Sequence, residues 1–70
     1  MIYIEENKIR IQLFQKILRV SDQFIVVAMK NKKIVIDGYK LCITYLEKTE
    51  IIIIGVFKSV QFYANEESIC

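Results

Sequence analysis

The chain has no histidine and no proline, and among its 70 residues only two glycines, two cysteines and two alanines. Without histidine, the commonest general base and zinc ligand is missing, so a zinc site and the familiar Ser–His or Cys–His nucleophile pairs have nothing to be built from. Two glycines are too few for a phosphate-cradling loop, and neither GxGxxG nor GxxxxGK[ST] occurs. The carboxylate pairs Glu5–Glu6 and Glu66–Glu67 stand near the two ends of the chain, away from the rigid frame that paired-acid chemistry needs, and read as solvating charges. No acidic calcium loop is present either. The expectation is a protein that is not an enzyme and carries no cofactor or metal.

Long apolar runs are also missing. No stretch approaches the roughly 20 residues of a membrane-spanning helix. The opening "MIYIEEN" lacks the basic and apolar regions of a secretory leader, which gives a cytoplasmic location as the expectation. The balance of 10 Lys/Arg against 8 Asp/Glu, net +2, does not by itself point to nucleic acid or an anionic membrane. Cys42 and Cys70 are far apart in sequence; Cys42 lies in an apolar pattern and reads as a buried thiol, Cys70 as a tail thiol.

What is present is β-branched: fourteen isoleucines and six valines. Such side chains lose rotamer freedom in helices and pack well on a pleated sheet. The hydrophobic share of 54% rules out disorder, and the length fits one small domain. Alternation predicts strands over Lys8–Phe14, with Ile9, Ile11 and Leu13 inward, then Ile17–Val20, Phe24–Lys30, Lys33–Asp37, Lys40–Leu46 and Ile51–Ile54, continuing from Val56 to Tyr63. The spacing over Ile9–Val20 also suits a helix. Ser21–Gln23 reads as a turn, "KNKK" from Lys30 to Lys33 as a solvated hairpin tip, and Glu47–Glu50 as a hairpin loop. Asp37–Gly38 suits a turn with positive φ. Gly55, isolated in a strand, marks a bend or a close backbone approach.

The resulting expectation is an all-β domain over residues 1–70, with a core of about 8–63 and a polar tail from 64 to 70 that frays. It should be a small antiparallel meander of about six short strands in a bent or rolled sheet.

The four consecutive isoleucines Ile51–Ile54 would place apolar side chains on both faces of one strand. One face can meet the core, and the other needs a second cover. Ile52, Ile54, Val27 and Met29 are therefore the candidate interface of a homo-oligomer. A different class of function, a small barrel that binds single-stranded nucleic acid, would draw on Lys8, Arg10, Lys30, Lys32 and Lys33 with Tyr39 and Tyr45. A third, a small-molecule pocket inside a curled sheet, has little room in so short a chain.

The order "SDQFIVV", "IVIDG", "LCITYL", "EKTE" and "GVFKSVQFY" resembles the YqfC/YabP family of bacterial sporulation proteins, over roughly Lys8–Tyr63, and looks closer to the YqfC branch. The resemblance implies a sporulation-associated protein of endospore-forming bacteria, made in the mother cell and without a known catalytic role. It also implies an integral membrane protein of the same programme as a partner. No nucleic-acid partner and no direct membrane insertion are expected.

Overall fold

A computed structural model describes residues 2–64; the tail, with Glu66, Glu67 and Cys70, lies outside the described residues. The chain is all-β. Its six strands are β1 (Ile2–Ile4), β2 (Lys8–Gln12), β3 (Lys16–Val20), β4 (Phe24–Ala28), β5 (Lys32–Leu46) and β6 (Glu50–Ala64). They form one antiparallel sheet in the order β1-β2-β6-β5-β4-β3. The meander runs from β3 to β6, and the hairpin β1–β2 joins the far side of β6. The spacing that would also have suited a helix over Ile9–Val20 instead belongs to two strands on opposite flanks of the sheet.

This sheet has to roll. Between Gln12 and Lys16 the chain can span at most about 15 Å. In a flat sheet β2 and β3 would stand four strand spacings apart, about 19 Å. The two flanks therefore swing toward each other until their inner faces meet. The result is a single apolar cluster in which Ile9, Ile11, Ile51 and Ile53 from one flank join Ile25, Val27, Ile34 and Ile36 from the other, all without solvent exposure. Phe14, Met29 and Leu41 close its ends. No buried polar side chain interrupts the core among the described residues. Sheet closure stops short of a barrel: among the described residues β1 and β3 remain as two free edges.

The roll is possible because β5 and β6 are long enough to serve both flanks and share a corner. At Gly38 the two backbones come so close that a Cβ there would lie 2.0 Å from the Val56 carbonyl oxygen. Across the corner Gly55 adopts φ +146°, with its missing Cβ 2.8 Å from the Lys40 oxygen. Register shifts after Asp37 and Tyr39 accompany the bend. Gly55, expected to mark a bend or a close backbone approach, thus sits at a register shift with its missing Cβ against the Lys40 oxygen. Asp37–Gly38, by contrast, is not a hairpin turn, and Gly38 does not have positive φ. β5 runs straight through it, and glycine is required there by the approach of Val56 rather than by dihedral freedom.

The Ser21–Gln23 turn serves the same corner. The Ser21 hydroxyl oxygen accepts hydrogen bonds from the Gln23 and Phe24 amides. The carbonyls of Gln23 and Asp22 then accept from the Gly38 and Leu41 amides, which the bent strand would otherwise leave unpaired. The other two expected turns are hairpin loops, closed by Met29 N–H to Lys32 oxygen and Glu47 N–H to Glu50 oxygen.

Three sequence expectations fail for local reasons. Leu13 is exposed rather than inward, because its φ of 66° ends the alternation of β2 and lets Phe14 take the inward place. Cys42 is exposed rather than buried, because the register shift after Tyr39 points Leu41 inward and Cys42 out. Ile2–Ile4, for which no strand was expected, pairs with Ile9–Ile11 as an added edge.

Candidate docking face

Directly paired residues in a sheet share a face, so the register alone assembles the outer surface of the β1-β2-β6 flank. One row across it reads Tyr3, Arg10, Ile52, Tyr45, and the next reads Lys8, Ile54, Cys42. Tyr3, Tyr45 and Ile54 are exposed at 48%, 44% and 39%, while Ile52 is half-buried between its neighbours. Arg10 reaches along this face to Glu50, Nε to Oε2 at 3.1 Å. The contact is partly exposed and is of the kind worth about 0–1 kcal/mol. It leaves the isoleucines as the apolar centre of a patch with aromatic ends and a charged margin.

The four residues expected at an interface thus separate into two pairs. Ile52 and Ile54 lie outward on this face. Val27 and Met29 do not: Val27 pairs with Ile34 inside the roll and is fully buried, and Met29 is 8% exposed at the end of the core. They have no surface to offer a partner, because the roll supplies the second cover that a flat sheet would have lacked. The same roll decides which isoleucines of the quartet face inward, namely Ile51 and Ile53.

The basic and aromatic residues fall into two groups. Lys8, Arg10 and Tyr45 lie on the face just described, whereas Lys30, Lys32 and Lys33 surround the β4–β5 tip beyond the corner, with the Lys32 ammonium 5.4 Å from the Phe62 ring centre. Tyr39 stands at the corner itself beneath Lys58, at 5.5 Å. One strand of nucleic acid would have to follow the bend to meet both groups. A shallow groove on the other flank is lined by Val26, Lys33, Val35, Tyr63 and Ala64. It lies on the outside of the sheet, not within the curl. Among the described residues no cluster of three or more metal-ligating side chains occurs, and no helix is long and apolar enough to cross a membrane.

Sequence reasoning did not anticipate Tyr3 on this face. The signal was in the sequence, since Ile2, Tyr3 and Ile4 are β-formers, but three residues are too few for alternation to be read. No family model, curated protein or solved structure matches the chain.

Proposed function

We propose that this chain is a non-catalytic, sporulation-associated module of the YqfC/YabP kind, which acts by binding through the outer face around Ile52 and Ile54, first of all to a second copy of itself. The observation that carries the reading is that face: two isoleucines on one side of a strand, with Tyr45 and Cys42 beside them on β5, Arg10 and Lys8 beside them on β2, and Tyr3 beyond Arg10. Covering a large apolar side chain is worth roughly 1.5–3 kcal/mol, a large fraction of the stability of a domain this small. The sporulation context is supported by the order and spacing of the segments from Lys8 to Tyr63. It would place the protein in the mother-cell cytoplasm, held near a membrane by an integral membrane partner.

Sedimentation of the wild-type chain and of Ile52→Lys at low and high salt tests the binding mode. Self-association that persists or strengthens in high salt and is reduced in Ile52→Lys supports the reading. A wild-type chain that stays monomeric but binds single-stranded oligonucleotide, with affinity falling steeply as salt rises, would replace it by the nucleic-acid reading. Deleting the gene in its host and counting heat-resistant spores tests the context separately; an unchanged count would remove it.

A further inference from the structure

We infer that the two free edges of the sheet are complementary, so that β1 of one copy pairs antiparallel with β3 of the next and builds an open, head-to-tail assembly. This rests on the reading of the chain as an assembly module and assigns the surface that propagates it. The edges do not pair with each other within one chain.

Backbone geometry sets the register. Glu5 N–H bonds to the Lys8 carbonyl, and hydrogen-bonded pairs alternate along an antiparallel ladder, so Tyr3 is bonded inward to Arg10 while Ile2 and Ile4 direct their backbone groups to the open side. Ser21 N–H bonds to the Phe24 carbonyl. By the same alternation Arg19 is bonded inward to Val26, and Val20 presents its backbone groups outward. Ile2 can therefore exchange hydrogen bonds with Val20 of another copy, followed by Tyr3 opposite Arg19.

The side chains then agree at every step. β3 has a bulge at Leu18, since its ladder to β4 steps from Arg19↔Val26 to Ile17↔Val27. Carrying that bulge across sets Ile4 opposite Ile17 and Glu5 opposite Lys16. Ile2, Ile4, Ile17 and Val20 all lie on the core-facing side, opposite Ile11, Ile9, Val27 and Ile25 respectively. Tyr3, Glu5, Lys16 and Arg19 all lie on the outer side, where an aromatic ring would meet a guanidinium and a carboxylate an ammonium. Glu5 and Lys16 are exposed and form no ion pair among the described residues. Two different edges in contact make a heterologous interface, which propagates unless its rotation closes a ring.

Charge reversal tests this with the full-length chain. Glu5→Lys alone and Lys16→Glu alone each place like charges across the joint, and each should sediment at no more than the mass of the dimer formed through the outer face. Mixed in equal amounts they restore one native and one reversed joint, and the weight-average mass should rise several-fold above either variant alone. Ile4→Pro removes an outward-pointing donor without touching the ladder to β2, and should leave a folded chain that does not extend. Wild-type chains that never exceed a dimer, or variants whose mixture behaves as the sum of its parts, would overturn the proposal. If Ile52→Lys associates as fully as the wild-type chain, the outer-face reading fails and the edge assignment stands. If Ile52→Lys abolishes association while the charge reversals change nothing, the edge assignment fails alone.

Discussion

Gly38 and Gly55 face one another's strands at the corner, and they need glycine for different reasons. At Gly38 the obstacle is the carbonyl of Val56, which no rotamer change can move. At Gly55 the obstacle is the dihedral itself, φ +146°, together with the nearby Lys40 oxygen. Gly38→Ala should therefore cost at least about 2 kcal/mol, and Gly55→Val should cost more than the ~0.5–1 kcal/mol by which strand glycines normally trail other residues, despite the better β-propensity of valine. The midpoint of urea unfolding reads both; parent-like midpoints would mean that the two strands stand farther apart at the corner. The isoleucine quartet gives a sharper contrast. Ile53 has no exposure, so Ile53→Ala should cost about 2–5 kcal/mol and Ile53→Lys should leave an unfolded chain. Ile52→Lys, on the outer face, should stay folded by circular dichroism. The reverse result would exchange the two faces of β6.

The turn Ser21–Gln23 is an element whose role lies outside its own hairpin. It aims two carbonyls at the bent part of β5, so loosening it should expose the Gly38 and Leu41 amides. Ser21→Ala removes the acceptor for two backbone N–H groups and should cost about 0.5–1.5 kcal/mol. Amide hydrogen exchange should show Gly38 and Leu41 losing protection while Ile9 and Ile53 keep theirs; uniform loss would make the turn a simple hairpin connection. The strands themselves were legible where alternation persisted over five residues, as in Lys8–Gln12; Lys40–Leu46 was legible as strand, but register shifts on both sides of Cys42–Ile43 put Tyr45 on the outer face with Cys42 rather than with Leu41 and Ile43. Alternation could not tell that Lys33–Asp37 and Lys40–Leu46 are one strand, because a bulge at glycine looks like a turn in one dimension. It also could not say which sheet flank β2 joins. That choice depends on β6, distant in sequence, and it is what turned Val27 and Met29 from candidate surface into core. Half of the candidate site was therefore readable from Ile52 and Ile54, and the contribution of Tyr3 was not.

As a whole the molecule is thin, with extents of 36 × 23 × 18 Å, enough for two sheet layers about 10 Å apart and one layer of side chains between them. The order of its strands has a consequence for how the protein is made. β2 pairs with β6, which leaves the ribosome after every other described strand, whereas β5 and β6 are joined by the short loop Glu47–Thr49. The β5–β6 hairpin can form as soon as both of its strands are free, while the β1–β2 hairpin must wait, its isoleucines uncovered, until β6 has emerged. Contacts close in sequence cost less chain entropy to form and belong to the early folding nucleus; the long-range docking of β2 comes late. Val60→Ala, in the hairpin, should thus mainly slow refolding, and Ile11→Val, in β2, should mainly speed unfolding. Stopped-flow kinetics showing the opposite division would mean that the early strands find a partner before β6 exists. Until β6 has emerged, the chain offers one hairpin whose apolar side chains meet only water, the stage at which it is most open to aggregation.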